Sequence, residues 1–160
     1  MPRIPGDAGP PEVTMPPAHF DNLYADKTDP WDFSASWYEQ RKYALAIASL
    51  PRRRYRACLE LGCSIGLMTN LLAQRCDHVT GIDSATRALD QARLTLGDVD
   101  HVSLRHAVLP DGLPDQRFDL IVASEVLYYF TSQDLTNLLD ELINRLEPDW
   151  PDPEWLIQVE

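Results

Sequence analysis

Cysteine is rare in this chain of 160 residues, and long apolar runs are missing altogether. Cys58, Cys63 and Cys76 are odd in number and form no C-x-x-C pair, so neither a disulfide framework nor a thiolate zinc site is indicated. No metal is expected, and the three are read as reduced thiols. No window approaches the ~20 consecutive apolar residues of a membrane-spanning helix. Met1-Pro2-Arg3-Ile4-Pro5-Gly6 has none of the apolar core of a secretory signal. The expectation is a soluble, cytoplasmic protein with no membrane partner. Basic residues are scarce in the second half: residues 1–80 hold 9 Lys and Arg against 9 Asp and Glu, and residues 81–160 hold 5 against 16, for a net charge of −11. That balance disfavours nucleic acid as a partner and favours a cationic or neutral one, although solubility alone would account for it.

What is present suits one domain that buries roughly 70% of its unfolded surface. Six prolines in residues 1–18 leave little that could pack and mark a disordered or extended leader, with the folded domain spanning 19–160. Aromatic residues then cluster with charges, from Phe20 and Tyr24 through Asp29-Pro30-Trp31 and Phe33 to Trp37-Tyr38-Glu39 and Tyr43. This block either closes over a ligand or packs on a sheet; Trp31 suits both roles and Tyr43 suits packing. A helix from Tyr38 to Leu50 turns Leu45, Ile47 and Ala48 inward and stops at Pro51. Arg52, Arg53, Arg54 and Arg56 read as a solvated turn.

Downstream, short apolar runs alternate with helical periodicity. Strands are expected at Ala57–Leu61, His78–Asp83, around Val102 and Leu104, at Phe118–Ser124 and at Trp155–Val159. Between them lie helices marked by Leu67, Met68, Leu71 and Leu72, by Ala85, Ala88, Leu89, Ala92 and Leu96 with Ser84 as cap, and by Leu135, Leu138, Leu139, Leu142 and Ile143. The fold class is therefore α/β: a Rossmann-like open parallel sheet of order 3-2-1-4-5 with helices on both faces.

Ligands of such sheets bind at the carboxyl ends of the strands. Strand one runs there into Glu60-Leu61-Gly62-Cys63-Ser64-Ile65-Gly66, and strand two ends in Asp83, placed to accept from both hydroxyls of a ribose. No lysine follows as a P-loop requires. A dinucleotide fingerprint would need glycine at 64 and glycine or alanine at 67, where Ser64 and Leu67 stand. The remaining reading is the S-adenosylmethionine loop E/D-x-G-x-G-x-G with one glycine replaced by Ser64, tolerable if that residue has ordinary backbone dihedrals. Glu60 then orients the loop or pairs indirectly with the cofactor's ammonium group.

Asp29-Pro30-Trp31, Tyr38-Glu39, Leu59-Glu60-Leu61-Gly62-Cys63, Ile82-Asp83 and Phe118-Asp119-Leu120-Ile121-Val122, followed by Glu125-Val126-Leu127-Tyr128-Tyr129, occur in an order that resembles the nodulation protein S family. The resemblance runs from about Phe20 to Leu146. It implies a class I S-adenosylmethionine-dependent methyltransferase, with an amine or hydroxyl of a small molecule or saccharide as acceptor and a role in oligosaccharide biosynthesis. Cofactor contacts are then expected from Trp31, from Glu60, Gly62, Cys63, Ser64 and Gly66, from Asp83 and Ser84, and from Glu125. Ala107 and Val108 stand where such enzymes often carry an acidic residue beside adenine, so contact there would be apolar or through the backbone. Glu125, Tyr128 and Tyr129 are the catalytic candidates, to hold the acceptor or take its proton; alternatively Glu125 orients the cofactor and the tyrosines pack over it. Glu147-Pro148-Asp149-Trp150-Pro151-Asp152-Pro153 replaces the family's turn into strand five, and the chain ends before the last two strands of the class I sheet. Two expectations follow: strand five is an apolar edge able to pair across a dimer, and a second reading is a truncated, inactive cofactor-binding remnant.

Overall fold

The computed structural model describes residues 9–147 and, as backbone, residues 154–158. Apolar runs become strands β1 (Tyr55–Leu61), β2 (Cys76–Asp83), β3 (Val102–His106), β4 (Leu120–Ser124) and β5 (Glu154–Gln158). The periodic stretches become helices α1 (Pro17–Asp26), α2 (Trp37–Ser49), α3 (Leu67–Ala73), α4 (Thr86–Leu96) and α5 (Ser132–Arg145). All strand pairs are parallel and the order is β3-β2-β1-β4-β5. In register, Leu61 lies beside Ile82 on one side and Ala123 on the other, so β1, β2 and β4 end together.

Successive side chains of a strand point to opposite faces, which splits the core in two. Cys58, Val79, Leu120 and Val122 pack with Tyr43 and Ala46 of α2 and Met68 and Leu72 of α3. Leu59, Leu61, Ile82, Ile121 and Ala123 pack with Leu138 and Leu142 of α5. The expected α4 stripe is buried at Ala88, Leu89, Ala92 and Leu96. β4 begins two residues later than expected because Asp119 is a stitch: its buried carboxylate accepts from the amides of Arg56 and Ala57 at 3.0 and 2.8 Å. All three cysteines are free and buried.

Four expectations are corrected. α2 turns Glu39, Tyr43 and Ala46 inward and packs Ile47 against the core as expected, whereas Leu45 is 62% exposed and Ala48 is exposed. On α5, Ile143 faces solvent at 58% exposure, because the stripe packed on the sheet runs through Leu135, Leu138 and Leu142. Ser84 does not cap α4; Ala85 is the cap residue, and its amide donates to Asp83 Oδ1 at 2.9 Å. The leader packs sooner than residue 18: Pro17 opens α1, the Met15 amide donates to the Tyr129 carbonyl at 2.9 Å, and Thr14 bonds the Asp134 carboxylate and the Thr131 amide. The first eight residues of the expected leader, the 148–153 turn and the apolar side chains expected on β5 lie outside the described residues. Among the described residues no helix is long and apolar enough to cross a membrane, and no cluster of His, Cys, Asp and Glu is placed to hold a metal.

Candidate active site

The common ends of β1, β2 and β4 open into one cavity, closed above by α1, α2 and the segment around Trp31. Its floor is the loop after β1. Gly62 (φ +67°) and Gly66 (φ +82°) hold left-handed conformations that side chains rarely adopt. A Cβ at Gly62 would meet Val126 Cγ2 at 3.2 Å, so the loop lies directly against the exit of β4. Ser64 does not meet the condition of ordinary dihedrals: it is also left-handed, at φ +51°. The second glycine of the motif is thus replaced by a residue that still holds a left-handed backbone, and its hydroxyl shares a hydrogen bond with the Tyr24 hydroxyl of α1.

Asp83 is a buttress as well as a candidate ribose acceptor. Its Oδ2 accepts from the Ser64 amide at 2.8 Å and its Oδ1 from the Ala85 amide, and the Ser84 amide also acts on the carboxyl. Burial raises its pKa, with the backbone hydrogen bonds pulling the other way. Glu60, 2% exposed, takes a hydrogen bond of 2.6 Å from Thr69 Oγ1. Burial pushes its carboxyl up to about 8, against the Thr69 bond and helped by the nearby Asp83 charge. Cys63 lines the cavity as a buried thiol, with its pKa raised first by burial and then by Glu60 and Asp83, which is the opposite of an activated nucleophile.

The walls carry the aromatic residues. Trp31 lines the cavity and packs edge-on to Tyr24 (5.7 Å between centroids) and stacked on Phe33 (5.6 Å). Phe20 of α1 meets Tyr129 at 4.9 Å in a T-shaped contact. Ala107 and Val108 form the rim beyond Asp83; the Ala107 amide donates to the Asp83 carbonyl at 3.0 Å, and the Ser84 carbonyl faces His106 Nε2 at 3.0 Å. At the β4 exit Glu125 is left-handed at φ +56°, and its Oε2 accepts from Tyr128 Oη at 3.1 Å. Burial raises the pKa of both Tyr128 and Tyr129. All residues expected around a cofactor, except Gly66 beneath the loop, and all three catalytic candidates line this one cavity.

Sequence reasoning gave no site role to Lys42 or Glu39, and left Tyr24 in a block that either closes over a ligand or packs. Lys42 Nζ lies 2.7 Å from Glu39 Oε2 and 3.2 Å from Glu125 Oε1, with all three side chains at most 10% exposed. A Glu and a Lys three residues apart on a helix read as a solvated surface pair, and no local signal distinguishes this one. Among the described residues lining the cavity, Lys42 is the one cation, against the carboxyls of Glu39, Glu60, Asp83 and Glu125.

The family model of nodulation protein S matches residues 21–151. Nodulation protein S of Bradyrhizobium diazoefficiens is 33% identical over 123 residues, 76% of this chain and 59% of that protein. The N-methyltransferase NodS from Bradyrhizobium japonicum, solved in complex with S-adenosyl-L-homocysteine, superposes with a TM-score of 0.75 at 28% identity, covering 82% of this chain and 67% of that one. A solved putative methyltransferase from Pseudomonas syringae is 45% identical with a TM-score of 0.65, covering 71% of each chain. The chain spans about half the length of the curated relatives it matches, from 43% to 59% of the first three. With the family model covering most of the described fold, strand order and glycine loop included, the chain belongs to the nodulation protein S family.

Proposed function

We infer that this chain binds S-adenosyl-L-methionine and transfers its methyl group to an amine of a small molecule or saccharide. The observation that carries this reading is convergence: the glycine loop, Asp83 and the Glu125–Tyr128 pair, from three separate strand ends, line one aromatic, acid-rich cavity. The residues fit the cofactor. Left-handed turns at Gly62 and Gly66 bring backbone close to a ligand, Asp83 presents an acceptor carboxyl to the cavity for a ribose, and the buried Glu60 carboxyl has no cation bonded to it among the described residues. When bound, the cofactor supplies a methyl on a sulfonium, which passes to the acceptor lone pair as the sulfur keeps the electrons of the broken bond.

The chain's own part is to align the reactants and exclude water. Trp31, Phe33 and Phe20 supply apolar cover. Glu125, fixed by Tyr128, is placed to orient an amine and to take the proton that the nitrogen gives up after methylation. Glu39, Asp83 and Glu125 against one lysine favour cationic over acidic acceptors, and an amine over a carboxylate. A role in oligosaccharide synthesis is the extension of this reading to a sugar amine.

Titration calorimetry with S-adenosylhomocysteine tests the core of it. Asp83→Ala is expected to weaken binding tenfold or more, whereas an absence of binding to the folded wild-type chain would overturn the reading.

A further inference from the structure

A bound amino-acid moiety brings a carboxylate into a cavity already lined by four carboxyls, and that charge must be met by a donor or it forfeits its hydration. Three of the five loop amides from Gly62 to Gly66 are already engaged. The Cys63 amide donates to the Ile82 carbonyl at 3.0 Å, the Gly66 amide to the Cys63 carbonyl at 2.9 Å, and the Ser64 amide to Asp83. Lys42 is the one cation of the described lining, and an ammonium has three N–H donors, of which Glu39 and Glu125 engage two. The longer of these bonds, 3.2 Å to Glu125, is the one a competing carboxylate would replace.

Glu60 lines the same cavity as Glu39, Lys42 and Glu125. Burial opposes the charge on Lys42, but its bonds to Glu39 and the pull of Glu125 outweigh it, so the ammonium persists. Burying a lysine and two carboxylates costs several kcal/mol per ion before pairing, and an apolar residue would have packed α2 without that cost.

We propose that Lys42 is the anchor for the carboxylate of the cofactor's amino-acid moiety, held in place by Glu39 and exchanging its bond to Glu125 for the incoming carboxylate. The proposal rests on the methyltransferase reading and adds a consequence to it. Cofactor binding frees Glu125 for the acceptor, so the acceptor side becomes competent only after the cofactor is seated.

The test needs no acceptor. Affinities of S-adenosylhomocysteine, its carboxyl methyl ester and 5′-methylthioadenosine, which has no amino-acid part, are measured for the wild-type chain, Lys42→Met and Lys42→Arg. The expected result is a tenfold or larger loss for S-adenosylhomocysteine in Lys42→Met, less than threefold change for methylthioadenosine, and recovery to within threefold of wild type in Lys42→Arg. The ester should bind wild type at least tenfold more weakly than the free acid, a comparison that stands even if Lys42→Met fails to fold. Equal binding of acid and ester, or an equal loss for all three ligands in Lys42→Met, overturns the proposal. Failure of wild type to bind any of the three defeats the underlying cofactor reading instead.

Discussion

At the scale of single residues, the cavity is built from groups held in costly states. Ser64 occupies a left-handed conformation that costs a non-glycine residue roughly 1–2 kcal/mol, and its hydroxyl bond to Tyr24 offsets part of this by about 1 kcal/mol. Ser64→Ala keeps the strain and loses the bond, whereas Ser64→Gly loses both. Urea denaturation is therefore expected to find the glycine variant more stable than the alanine variant by about 1 kcal/mol; the reverse order would show that Ser64 is unstrained.

Glu60 makes a second prediction, on pH. Its folded pKa of about 8 lies above the ~4.3 of an unfolded glutamate. Between those values the folded chain holds a proton that the unfolded chain releases. The stability it contributes is therefore complete below pH ~4.3 and is lost as pH rises toward 8. Glu60→Gln cannot ionise, so its urea midpoint should fall less between pH 5 and pH 8 than that of wild type. Parallel pH dependences would sink this account.

At the scale of elements, helix orientation matters more than helix existence. All the helices from α2 onward were legible as apolar periodicity, and the expected Tyr38–Leu50 lies one residue from either observed end of α2, because periodicity is a local property. Which residues face inward was less so. On α2 the cavity takes Glu39 and Lys42, so the helix rolls and leaves Leu45 in solvent. The contrast can be measured: Leu138→Ala on α5, at a fully buried site, should cost about 2–5 kcal/mol. Leu45→Gln and Ile143→Gln should each stay within about 0.5 kcal/mol of wild type. A large loss at Leu45 would mean that the exposed face of α2 is covered in solution.

At the scale of the whole molecule, the site belongs to no single element. Strand ends β1, β2 and β4 supply the floor, and α1, α2 and the Trp31 segment supply the cover. A ligand that fits this arrangement binds the folded chain alone and stabilises it by mass action. S-adenosylhomocysteine at a hundred times its dissociation constant should add about 2.7 kcal/mol, a rise in Tm of roughly 5–10 °C for a domain of this size. NAD at the same concentration should leave Tm unchanged, since Ser64 and Leu67 stand where its pyrophosphate needs small residues. An equal rise with NAD would restore the dinucleotide reading.

The order of residues by itself determined the strand sequence, the 3-2-1-4-5 arrangement, the glycine loop and Asp83 at the end of β2. Each of these is encoded in a short contiguous stretch, and right-handed parallel crossovers leave few ways to assemble such stretches. Only the tertiary structure decided that Ser64 carries a left-handed turn braced by Tyr24, that Thr14 and Met15 dock at the β4 exit, and that Lys42 bridges Glu39 and Glu125. Those contacts join positions 40, 117 and 83 residues apart. They depend on how each helix is rolled against the sheet, which local periodicity leaves open wherever a buried ion pair competes with leucine for the inward face.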